Sequence, residues 1–165
     1  MADEEPGDDA ADALAEISVA WMRRFDWERL VRQCRLGFYE GRTKDPRRWV
    51  RHSTAQQVAL VLATYGDLDG TRVRPAVARM ALVCELDERT VRAVISRLRR
   101  LNLLELVTPH RSPGRNGGPG RAAEYRLTAP DDLMVRVAHL DPDEQKLTVP
   151  PGVDTGPDRK PRAPK

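Results

Sequence analysis

Two apolar stripes stand back to back in the middle of the chain. Val77, Met80, Ala81 and Cys84 fall at i, i+3, i+4 and i+7, and Val91, Val94, Ile95 and Leu98 repeat that spacing. The pattern predicts one buried face on each of two successive helices. Pro75 suits the first turn of the first helix, where its missing N–H costs nothing. Asp87 is placed to cap the second, its carboxylate accepting from an orphan N–H of the first turn. Glu85–Leu86–Asp87 is a turn of the length that joins the helices of a helix-turn-helix. With the second stripe buried, Glu88, Arg89, Thr90, Arg92, Ala93, Ser96 and Arg97 are expected to point outward. They are small, hydroxyl-bearing or mostly basic, which suits a helix lying in a DNA major groove.

The flanking patterns are weaker. Leu14, Ile17, Trp21 and Phe25 approximate a helical stripe from Asp12 to about Arg24, and Asp26 is placed to cap a further helix carrying Trp27, Leu30, Val31 and Cys34. Gly37 and Gly41 break the pattern, and Asp45–Pro46 opens a short turn or helix through Trp49. Ser53 with Gln56, or Thr54 with Gln57, reads as a capping box ahead of a stripe at Val58, Val61, Leu62 and Tyr65. Gly66–Gly70 is a loop, and Thr71–Val73 fits a very short strand. Beyond Asn102, Leu103–Thr108 and Ala123–Thr128 are strand-like around a tip rich in Gly and Pro, a long β-hairpin. Leu133, Val137 and Leu140 predict a short helix within Asp131–Leu140. From Asp141 the chain is Pro-rich and charged, the composition of a disordered tail.

The run RPAVARMALVCELDERTVRAVISRLRRLNLLELV, residues 74–107, resembles the helix-turn-helix core of winged-helix DNA-binding proteins. It is especially similar to those of actinobacterial phages, plasmids and integrated elements, and more distantly to GntR- and MarR-type regulators. The resemblance implies a mainly α fold with a small β-hairpin wing (α+β), a winged helix-turn-helix over 53–128 behind a helical N-terminal arm over 12–52. It implies Asp87–Asn102 as the recognition helix and Ala123–Thr128 as the return strand of the wing. The family carries Gly in the turn where this chain has Glu85, and a left-handed turn strains a non-glycine residue there. Arg111, Arg115 and Arg121 sit in the hairpin where a wing would lie along phosphates or in a minor groove.

Composition changes this picture in two ways. The formal net charge of 165 residues is only +3, yet the first sixteen hold seven acids and no base, so the remainder is basic. Such asymmetry points to a polyanionic partner, here double-stranded DNA. Residues 1–11 are acidic and poor in bulky apolar side chains, hence expected to be disordered. The span Met22–Arg51 carries ten Arg or Lys against four acids. Two readings of it compete, a basic arm on the DNA backbone and an arm that packs on the core or on a second subunit. Trp21, Phe25 and Trp27 favour packing, and a homodimer through Ile17, Trp21, Phe25 and Leu30 is the partner arrangement expected.

Catalysis is not expected. His52, His110 and His139 are scattered, with no Cys/His spacing for zinc and no nucleophile-elbow sequence. The loop at Gly66–Gly70 lacks the acids of a calcium hand, and the hairpin tip lacks the Lys-Ser/Thr of a phosphate loop. No metal, cofactor or small-molecule ligand is called for. Cys34 and Cys84 suggest no disulfide framework. An acidic N-terminus and no long apolar run argue for a cytoplasmic protein without signal peptide or membrane span. The expectation is a sequence-specific DNA-binding protein, first a transcriptional regulator. The alternatives are a replication-initiation or partition protein of a phage or plasmid, and a winged-helix module that binds protein only.

Overall fold

The computed structural model describes residues 17–41, 48–141, 143 and 145–157. It is an α+β fold of helices and small antiparallel sheets. In chain order the elements are β1 (Val19–Trp21), α1 (Arg24–Gln33), β2 (Phe38–Glu40), β3 (Arg48–Val50), α2 (His52–Ala63), α3 (Val77–Cys84) and α4 (Glu88–Arg100). They continue with β4 (Leu104–Thr108), β5 (Glu124–Pro130), α5 (Leu133–Arg136), β6 (His139–Leu140) and β7 (Leu147–Thr148).

The stripes that predicted α3 and α4 are buried where they were expected, except at Val77, which is half-buried and lines the groove beside α4. Met80, Ala81 and Cys84 face inward from α3, and Val91, Val94, Ile95 and Leu98 from α4. Asp87 caps α4, its side chain accepting from the Thr90 N–H. Ala55, Val58, Ala59 and Leu62 of α2 and Trp27 and Val31 of α1 close the same core. β4 and β5 pair as the hairpin read from the sequence, with a register irregularity between Leu106 and Thr108.

The N-terminal region departs from its reading. The helix expected over Asp12–Arg24 is, within the described residues, a strand. Val19–Trp21 pairs with β5 at Val19↔Pro130 and Trp21↔Thr128, giving the sheet order β1-β5-β4. Thr71–Val73 shrinks to one bridge, Val73↔Tyr125, on that same edge of β5. The edge has room for both, and β1 takes the stretch Val73 leaves open. Gly70, at φ +84°, is what lets the intervening loop abut β1, since a Cβ there would strike the Met22 carbonyl oxygen.

Two caps are also replaced by tertiary contacts. α1 starts before Asp26: Arg23 takes the cap position without a side-chain bond, and the Arg24 N–H donates to Leu68 O at 3.0 Å. Neither capping box forms at α2, which starts at His52 after Arg51. Gln56 reaches instead to the C-terminal end of α1, its Nε2 donating at 3.3 Å to Arg32 O and to Val31 O, which also accepts from the Cys34 N–H. The turn or helix expected from Asp45 lies partly outside the described residues, and Arg48–Trp49 within it belong to β3, paired with β2. Nor is the C-terminal segment structureless: Leu140 pairs with Leu147 in a β6–β7 hairpin, and Gly156 lies against the Trp49 indole.

The core is therefore continuous from α1 to α5. Trp27 is completely buried, and its indole N–H donates to Leu103 O at 3.0 Å and to Thr128 O at 3.1 Å. One side chain thus ties α1 to the root of the β4–β5 hairpin.

Candidate nucleic-acid interface

The turn before α4 fixes how that helix is presented. Glu85 sits in the left-handed region, φ 54° and ψ 44°, and the Leu86 N–H returns to Ala81 O at 2.9 Å. A non-glycine residue is disfavoured there by about 1–2 kcal/mol, so the packing of α3 on α4 holds the turn against its local preference. Asp87 then satisfies the first turn of α4. Hydrogen bonds from Thr90 keep the Asp87 carboxyl below its ordinary range.

Of the α4 residues expected outward, Glu88, Arg89, Arg92 and Ser96 are exposed and Ala93 is half-buried. Arg92 Nη2 pairs with Glu88 at 2.6 Å one turn back along the helix. Arg89 Nε donates to Glu40 Oε1 at 2.9 Å, and Arg48 Nη2 reaches Oε2 of the same carboxylate at 2.7 Å. Burial raises the Glu40 pKa, but the bonds from Arg89 and Arg48 outweigh it and hold the group below its ordinary 4.5. Arg89 thus enters the solvent with Nε anchored and its two terminal nitrogens paired with no carboxylate among the described residues.

Thr90 and Arg97 do not face outward. Thr90 is 4% exposed, its Oγ1 accepting from Arg48 Nη2 at 2.7 Å. The Arg97 guanidinium lies over the Phe38 ring, 5.8 Å from its centroid, with Nε buried and without a hydrogen-bond partner. Burial, then the charges of Arg100 and Arg136, push the Arg97 pKa down. Both residues meet the β2–β3 hairpin, whose Phe38, Tyr39 and Trp49 border a hollow of about 370 Å³ beside Arg97. The sequence held the signal: Thr90, Ala93 and Arg97 stand at i, i+3 and i+7, a second covered stripe beside the apolar one.

On the other side of α4 a groove of about 550 Å³ runs between the helix and the β4–β5 connection. Arg92, Ser96 and Arg99 line it from the helix, and His110, Ala122 and Ala123 from the connection. Arg99 continues the Arg92–Ser96 face at i+3 from Ser96. Further out, Arg111 and Arg121 form an isolated bridge, N–H to O at 2.8 and 2.7 Å. Arg115 sits in the Gly114–Gly118 turn beyond them, and all three arginines are exposed. Among the described residues no carboxylate pairs with Arg99, Arg111, Arg115 or Arg121, whereas Arg74 is held by Glu124 at 2.7 Å and Arg126 lies 3.8 Å from Glu105. Two like charges set opposite each other across a hairpin oppose its pairing, and a polyanion laid over them removes that penalty.

Burial pushes the Cys34 thiol up to about 12 and raises Cys84 as well, so neither is a ready thiolate. The Leu36 N–H lies 3.4 Å from His52 Nδ1, and burial, then the Arg35 charge, lower the pKa of that imidazole. Among the described residues no three His, Cys, Asp or Glu side chains gather as a metal site, and no helix is long and apolar enough to cross a membrane. Comparison with protein-family models, with curated proteins and with solved structures gave no match to this chain.

Proposed function

We propose that this chain is a winged helix-turn-helix protein that binds double-stranded DNA sequence-specifically, as a transcriptional regulator. The observation that carries the reading is the groove between α4 and the β4–β5 connection. One wall is a helix face of Arg92, Ser96 and Arg99, and beyond the other lie the unpaired arginines of the hairpin. In this reading α4 enters the major groove, and Arg92 and Arg89 reach guanine O6 and N7 from its N-terminal half. Glu40 holds Arg89 by Nε, which leaves the two terminal nitrogens for a base edge. Ser96 and Arg99 follow the backbone along the groove, and Arg111, Arg115 and Arg121 meet phosphates or the adjacent minor groove. Thr90 and Arg97 belong to the packing of α4 and take no part.

Capture of genomic fragments on the full chain tests this. Enrichment of promoter fragments, lost when Arg92 and Arg99 are replaced by Ala, is the expected result. Enrichment of a single origin-like site would assign the same interface to replication or partition. Recovery of no fragment above background would leave α4 and the hairpin as a protein-binding surface and end the DNA reading.

A further inference from the structure

We propose that the outer edge of β1 is where a second copy of this chain docks, strand to strand and antiparallel. β1 is the outermost strand of its sheet, and among the described residues nothing pairs with its far side. Ser18 O accepts from the Asp131 N–H and the Met22 N–H donates to Leu127 O. Residues 18, 20 and 22 therefore turn their backbone groups toward β5, and Val19 and Trp21 turn theirs outward.

The edge is short, three residues, but it carries neither the charges nor the proline that keep an open strand from pairing. From Ile17 to Met22 the sequence has no charge and no proline. Its side chains are apolar and in water: Val19 is 44% exposed and Trp21 53%. Phe25 and Leu68 extend the patch, Leu68 being joined to the start of α1 through the Arg24 bond.

Charge selects the occupant. The residues before the strand are acidic, Asp12 and Glu16, and those after it are basic: Arg23, which is exposed, and Arg24, whose Nε is already paired with Glu28 at 2.9 Å. An antiparallel copy brings the acidic flank of each strand to the basic flank of the other, twice by symmetry, whereas a parallel copy sets like against like. The chain's own ends suit the edge less well. The first sixteen residues would lay acids of low strand propensity along Val19 and Trp21. Pro161 and Pro164 in the last eight residues cannot donate to a ladder. The pairing joins two three-stranded sheets edge to edge. It also sets two α4 helices in a two-fold relation, which goes beyond the DNA reading and does not depend on it.

Sedimentation of the full chain, free of DNA, decides the matter. The wild type is expected to run at twice its 18.6 kDa and to dissociate on dilution. Replacing both Val19 and Trp21 with Lys places positive charges along the shared edge and is expected to give a monomer with the wild-type circular dichroism spectrum. Val19→Pro removes one outward N–H without taking a bond from β5, and is expected to weaken the dimer in the same direction. A wild type that is monomeric at every concentration overturns the proposal, as does a dimer that both variants leave intact. Because no DNA is present, either result leaves the fragment-capture experiment to stand or fall separately.

Discussion

Two hairpins flank α4, and they use arginine in opposite ways. On one side β2–β3 brings Glu40, Phe38, Tyr39 and Trp49 to the helix, and the arginines that meet it are held. Arg48 is shared among Glu40, Thr90 and Asp87, and Arg97 is pressed over Phe38. On the other side the β4–β5 connection offers Ala122, Ala123 and a tip of glycines and prolines, with arginines that pair with no acid among the described residues. The helix has the same residue type on both flanks. What separates the packed Arg97 from the exposed Arg99 is the hairpin opposite, so a count of basic residues on a helix surface overstates the share that is available.

The sharpest way to break this comparison is to remove the packed hairpin. Phe38 is nearly buried and supports both the core and Arg97. Phe38→Ala is expected to cost about 3–5 kcal/mol in denaturant unfolding. A loss within half a kilocalorie would mean that β2–β3 is only laid on the surface. A paired substitution on α4 comes next. Arg92→Ala is expected to cost roughly 1–3 kcal/mol on the preferred duplex and to relax selection at one or two base pairs. Arg97→Met keeps the bulk over Phe38, removes a buried unpartnered nitrogen, and is expected to leave duplex affinity unchanged. Equal losses from the two variants would erase the distinction between the faces.

The smallest effect concerns the open hairpin. Replacing Arg111 and Arg121 with Ala relieves a like-charge pair, so the melting temperature is expected to rise slightly, by the equivalent of about 0.2–1 kcal/mol. The same variant is expected to bind all duplexes more weakly, its salt dependence shallower by about one unit for each phosphate it no longer neutralises. Weakening on a single sequence only, at every salt concentration, would mean that this hairpin reads bases or groove shape.

What could be read in the sequence follows the range of the interactions involved. α3, α4 and the Asp87 cap are set by residues within a turn or two of each other, and spacing alone finds them. β1 was invisible because Val19–Trp21 becomes a strand only where β5, from the far end of the chain, offers an edge. Arg23 and Gln56 broke the capping rules for the same reason, with Leu68 O, Val31 O and Arg32 O supplying the tertiary partners. At the candidate interface Glu88, Arg89, Arg92 and Ser96 were legible from a single stripe. Thr90 and Arg97 were misplaced because that stripe assumes one covered face, and α4 has two.

The bonds of Trp27 carry a consequence for what can be moved between proteins. A fragment cut at Ser53, where the helix-turn-helix pattern begins in the sequence, would take the indole donor from the Thr128 carbonyl, leave Leu103 O only its bond from the Thr128 N–H, and open a hole of tryptophan size beneath the sheet. The smallest portable unit therefore includes α1. Recombination or engineering that respects sequence resemblance alone would divide this protein through the middle of its core.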